Sequence, residues 1–82
     1  MIKHTQGIVL SSVKYAESSV VCKIYTQELG LQSYLINGVR KRRGTSSYYQ
    51  PLSLLDMVVY HKEKGGLQRV KEVKFGKYIF FR

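Results

Sequence analysis

The sequence predicts an all-β fold, a small barrel built from five short strands. Two observations carry this. Apolar residues recur with the period of two that a half-buried strand requires, in five segments between residues 6 and 75. Gly-bearing or Pro-bearing stretches separate most of these segments, the spacing expected of an all-β barrel. Closure is expected because an exposed strand edge invites pairing with other chains, a serious liability in a small domain.

The first strand is expected over 6–13, where Ile8 and Leu10 alternate with Val9, and a polar corner follows at 14–18. The second, 19–26, places Val20, Cys22 and Ile24 on one face and Val21, Lys23 and Tyr25 on the other. The Glu28-Leu29-Gly30 turn leads into a third strand over 31–38, with Leu31, Ser33 and Leu35 opposing Gln32, Tyr34 and Ile36. Pro51 marks the entrance to the fourth, 52–62, whose apolar pattern Asp56 interrupts as a satisfied polar group or a sheet-edge charge. After the Lys64-Gly65-Gly66 turn comes the fifth, 67–75, where Val70 and Glu72 alternate with Arg69, Lys71 and Val73.

The longest gap, 39–51, falls between the third and fourth strands. In a five-stranded OB barrel a short helix or loop plugs one end of the barrel at that place, and Tyr48 and Tyr49 can supply an apolar plug. An SH3-like barrel is the competing architecture, and periodicity does not separate the two.

Eighty-two residues make one domain with a modest core. Cys22 is the only cysteine, so no internal disulfide can add stability, and its apolar strand makes it a small buried hydrophobe. One Cys and two His offer no metal-ligand spacing, and no cofactor is expected. No apolar run approaches the ~20 residues that span a bilayer, and the first six residues lack the apolar stretch of a signal peptide. No membrane association is expected, and the cytoplasm is the expected compartment.

Charge points to a polyanion. Fourteen Lys and Arg against five Asp and Glu leave +9, a field that steers anions toward the surface. Arg40, Lys41, Arg42 and Arg43 stand in a row after Asn37-Gly38 and before a polar stretch bearing Tyr48 and Tyr49. Crowded cations repel one another, so such a loop on a β scaffold suits a phosphate backbone. A solvated charge run or a processing signal is the other reading of this pattern.

The order of short signatures is more specific than any one of them. Thr5-Gln6-Gly7-Ile8-Val9-Leu10 runs into Tyr15-Ala16-Glu17-Ser18-Ser19, then Ile24-Tyr25-Thr26-Gln27-Glu28-Leu29-Gly30. Ile36-Asn37-Gly38-Val39-Arg40-Lys41, Gln50-Pro51-Leu52-Ser53-Leu54-Leu55, Gly65-Gly66-Leu67 and Val70-Lys71-Glu72 follow. Together, over essentially the whole chain, these resemble the N-terminal domain of the bacterial recombination mediator RecO. The resemblance implies an OB-fold domain of a DNA repair protein that binds single- and double-stranded DNA and anneals complementary strands. It also implies work with RecR, and with single-stranded-DNA-binding protein through the absent C-terminal region, in loading RecA. The domain is expected over 1–75, and 76–82 is expected to be an interdomain tail leading to a C-terminal region absent here.

Single strands offer phosphates and flat bases, which call for cations interleaved with aromatic rings. Arg40, Lys41, Arg42 and Arg43 are the first candidates for phosphate contacts, being the basic positions after Asn37-Gly38 that the resemblance carries over. Lys14 and Lys23 follow, and Tyr25 and Tyr34 are the leading candidates for base stacking, with Tyr15 behind them. Family members often carry basic residues in strand three, where this chain has Gln32, Ser33 and Asn37, which shifts the electrostatic work toward the loop. Lys62, Lys64, Arg69, Lys71 and Lys74 form a second basic group, equally readable as ordinary solvated charge. Catalysis is not expected. The five carboxylates are scattered, His4 and His61 lack a nucleophile partner, and no phosphate-cradling Gly-rich loop occurs. A protein-interaction module docking RecR or another recombination partner, and an RNA-binding OB domain, are the alternatives.

Overall fold

Five strands run through the computed structural model, which describes residues 1–38 and 48–76. They are β1 (Ile2–Ala16), β2 (Ser19–Thr26), β3 (Gly30–Asn37), β4 (Leu54–Tyr60) and β5 (Leu67–Phe75). The sheet order is β1-β2-β3-β5-β4, closing into a barrel as β4 returns to β1. Every neighbouring pair is antiparallel except β3 with β5, which is parallel. That order is the five-stranded OB barrel expected from the sequence.

Alternation supplies the core. Val9 from β1, Cys22 and Ile24 from β2, Tyr34 and Ile36 from β3, and Leu55, Met57 and Val59 from β4 all point inward and are buried. Tyr49 joins them from the segment before β4, and Tyr48 packs against the cluster. Gly7 is buried where β1 passes closest to β2 and β4. A Cβ there would sit 2.6 Å from Ile24 Cγ2, so only a bare backbone fits.

The buried polar residues Thr5, Thr26 and Gln68 are satisfied at turns and loops. Thr26 Oγ1 donates to Gly30 O (2.7 Å) and accepts from Leu29 N–H (3.0 Å), fixing the β2–β3 connection. Thr5 Oγ1 accepts from Glu28 N–H (3.0 Å), tying that turn to β1. The Gln68 amide accepts from Lys62 N–H (2.8 Å) and donates to Lys62 O (3.0 Å), which holds the β4–β5 loop.

The bounds of three strands and one alternation differ from the sequence expectation; β1 begins at Ile2 rather than at residue 6, and β4 ends at Tyr60 rather than at residue 62. β1 extends to Ala16, so the polar corner shrinks to residues 17–18 because Lys14 pairs with Val20 and Ala16 with Ser19. β3 begins and ends one residue earlier, at Gly30 and Asn37. β4 begins at Leu54 because Gln50, Pro51, Leu52 and Ser53 form a turn closed by Ser53 N–H donating to Gln50 O (3.0 Å). Leu52 takes φ 72° there, a left-handed conformation that Leu seldom adopts. In β5 a bulge inserts Lys71, since Val59 pairs with Val70 while Val58 pairs with Glu72. Val70 and Val73 therefore both pack on the core although they lie three apart.

Candidate nucleic-acid interface

β-Register assigns the outer face. Tyr25 pairs with Leu31, Lys23 with Ser33 and Val21 with Leu35, and directly paired residues share a face. On the parallel side Ser33 pairs with Leu67 and Leu35 with Arg69. The outer surface of β2, β3 and β5 thus carries Lys23, Tyr25 and Arg69 as its exposed cations and ring, set among Ser33 and half-buried Leu35. Tyr25 is 43% exposed. In an OB barrel this β2–β3 face, flanked by the β1–β2 and β4–β5 loops, is the usual ligand surface.

The sequence candidates separate on this frame. Lys23 and Tyr25 stand two residues apart on the same exposed face, as expected. Lys14 pairs with Val20, which shares its face with Cys22, so it lies on the other side of the β1–β2 ribbon from Lys23. It remains exposed near the ribbon's tip beside Tyr15.

Tyr34 is a correction. Its partner across β2 is Cys22, which points into the barrel, and its side chain is 0% exposed. Tyr25 and Tyr34 therefore lie on opposite faces of the same sheet, and Tyr34 is a core residue with no face to offer a base. Burial pushes its phenol up to about 12, and its hydroxyl has no hydrogen-bond partner among the described residues. Arg40, Lys41, Arg42 and Arg43 lie outside the described residues. So does the tail beyond Gly76.

The second basic group also divides. Lys62 and Lys64 are exposed in the β4–β5 loop, and the Gln68 amide fixes the Lys62 backbone. Arg69 reaches the candidate face through its pairing with Leu35, a placement invisible to the sequence because only the parallel β3–β5 register creates it. Lys74, near the end of β5, pairs with Asp56 of β4, and Lys71 Nζ lies 3.9 Å from Glu72 Oε2. Asp56 is satisfied across the sheet by His4 Nε2, the polar role anticipated for it.

Beyond Leu35 and Arg69 the parallel pairing ends, and a cleft of about 600 Å³ opens between β3 and β5. Tyr48, Asn37, Arg69 and Lys71 are among its lining residues. Ser19 Oγ donates to Asn37 Oδ1 (2.7 Å), tying the end of β3 to the β1–β2 tip.

Cys22 is buried with its Sγ 3.5 Å from Ser12 Oγ, and burial raises its thiol above the ordinary range. It behaves as a packed hydrophobe. Among the described residues no group of three or more His, Cys, Asp or Glu could hold a metal ion. No helix among them is long and apolar enough to cross a membrane.

Comparison with known proteins gives the family of the chain. The family model described as "Recombination protein O N terminal" matches residues 1–78. A DNA repair protein RecO from Flavobacterium psychrophilum is 41% identical over 73 residues, covering 85% of this chain and 31% of the relative. One from Christiangramia forsetii is 36% identical over 77 residues (90% and 32%), and one from Phocaeicola vulgatus 34% over 76 residues (90% and 32%). The chain spans about a third of the length of these relatives. With a barrel of the expected order beneath a match to residues 1–78, the chain belongs to the recombination protein O N-terminal family.

Proposed function

We propose that this barrel binds DNA without sequence specificity, in the service of DNA repair and homologous recombination. The observation that carries the reading is the joint exposure of Lys23 and Tyr25 on one outer face, with Arg69 beside them across β3. Cations neutralise phosphates while a ring accepts an unstacked base. Arg40, Lys41, Arg42 and Arg43 follow β3 in the sequence after Gly38 and Val39 and are proposed as further phosphate contacts, with Lys14 at the ribbon tip. Such binding is loose and exchangeable, which suits annealing of complementary strands and delivery of single strands to RecA together with RecR and single-stranded-DNA-binding protein. No chemical step is required, so the domain acts by binding rather than catalysis. In this reading residues 1–75 are the DNA-binding unit.

A second reading has an observation of its own. Leu31, Tyr25, Ile8 and Leu54 are paired in succession across β3, β2, β1 and β4, giving a largely apolar outer row. A row of this kind suits a protein interface, with RecR or another recombination partner docked on it. Salt separates the two readings. Titration of a labelled oligo-dT by fluorescence anisotropy at several salt concentrations should give a log–log slope of about 0.7 per contacted phosphate. Replacing Arg40, Lys41, Arg42 and Arg43 together by Ala should lower that slope. Wild-type binding that is absent or insensitive to salt sinks the DNA reading and leaves the docking one.

A further inference from the structure

The cleft between β3 and β5 is a built feature of the fold. Parallel pairing there lasts only three residue pairs, ending at Leu35 with Arg69. Past that point β3 continues through Ile36 and Asn37, while the bulge at Lys71 re-aims β5. Bulges recur beside binding sites because they redirect side chains. The resulting space, about 600 Å³, falls within the range of small-molecule and nucleotide sites.

Its walls differ in chemistry. Ile36, Val70 and Val73 contribute apolar surface. The half-buried Tyr48 ring forms an aromatic wall and is itself backed by Phe75, with centroids 4.5 Å apart and planes 31° from parallel. Arg69 and Lys71 bring positive charge to the rim. Asn37 and Glu72 add hydrogen-bonding groups. The Asn37 carbonyl oxygen already accepts from Ser19, which leaves its NH₂ aimed elsewhere, while Glu72 is an acceptor.

A flat ring with donors and acceptors on its edge, attached to a phosphate, matches that set of walls. We infer that the cleft receives one unstacked base of a bound single strand, seated against Tyr48, with the adjoining phosphate between Arg69 and Lys71. The inference rests on the DNA-binding reading and adds to it a base seat separate from Tyr25. An extended peptide added to the β3 or β5 edge is disfavoured, because the bulge at Lys71 breaks the regular ladder such a peptide needs.

Three measurements test it. The first places 5-iodouracil in oligo-dT, crosslinks by irradiation and maps adducts by tandem mass spectrometry. An adduct on Tyr48 is expected. Intact binding with adducts only elsewhere, such as on Tyr25, overturns the cleft assignment while sparing the DNA reading. The second compares Tyr48→Leu with wild type on oligo-dT and on an abasic strand of equal length, after thermal melts establish that the variant folds. Tyr48→Leu should weaken oligo-dT binding about 5- to 100-fold, leave the salt slope unchanged and bind the abasic strand as wild type does. Equal loss on both strands would mean that Tyr48 supports the fold or the phosphate track and seats no base. Absence of any salt-dependent binding by wild type defeats the DNA reading itself. Nuclear magnetic resonance shifts at Asn37 and Val70 on adding an apolar peptide, with none on adding oligo-dT, would make the cleft a peptide seat and overturn the inference.

Discussion

Tyr25 and Tyr34 are the same residue type on adjacent strands, and their opposite fates show what decides a tyrosine's role. Tyr25 pairs with Leu31 on the outer face, and Tyr34 pairs with Cys22 on the inner one. Tyr25→Ala should therefore weaken oligo-dT binding about 5- to 100-fold, the worth of one stacked base. Tyr34→Phe removes a buried hydroxyl that has no partner, so it should leave DNA affinity unchanged and stability unchanged or raised. Anisotropy titrations paired with urea melts read both outcomes. The buried phenols also set an alkaline limit. Tyr34 and Tyr49 are both pushed from 10.0 up to about 12 by burial, so the unfolded chain releases these protons at lower pH than the folded one. Stability from this source is complete below pH 10 and is lost as pH rises toward 12. The urea midpoint should fall across that window, and Tyr34 and Tyr49 should titrate late by absorbance. A midpoint that stays flat through the window would contradict their burial.

At the scale of the element, β1 and β5 show where sequence pattern ends and tertiary structure takes over. Gly7 lies on the inner face of β1, where an added Cβ would meet Ile24 Cγ2 at 2.6 Å, Met57 Cε at 3.2 Å and Tyr25 O at 3.2 Å. Because Ile24 is fully buried and cannot swing away, Gly7→Ala should cost about 1–3 kcal/mol by overpacking, measured by denaturant melts. An unchanged midpoint would mean that the barrel can relax at that corner. Strand existence was legible in the sequence, since period-two alternation located all five, and β2 and β5 matched to the residue. Strand ends were not. Lys14 and Tyr15 look like a polar corner until pairing with β2 draws them into β1. The bulge at Lys71 left no local signal either, so Val70 and Val73 read as opposite faces although both pack on the core. Which face of β3 points inward was equally hidden, because Leu31, Ser33 and Leu35 are no more polar than Gln32, Tyr34 and Ile36. That ambiguity placed Tyr34 in the candidate site and hid Arg69, which reaches the site only through parallel pairing between strands distant in sequence.

For the whole molecule, a net charge of +9 sets the field, but the barrel decides where it acts. Lys23 and Arg69 share the β2–β3–β5 face with Tyr25, whereas Lys74, near the end of β5, pairs with Asp56 of β4. Membership in the recombination protein O N-terminal family agrees with the proposal that this charge meets a nucleic acid backbone. The central claim is that one particular face does the binding. The most direct measurement is nuclear magnetic resonance chemical-shift mapping of the isotope-labelled chain titrated with oligo-dT at low and at physiological salt. The account predicts shifts at Lys23, Tyr25, Ser33 and Arg69 that shrink as salt rises, with His4, Asp56 and Lys74 unmoved. Shifts centred on the β1–β4 wall, or none on the β2–β3–β5 face at either salt, would contradict it.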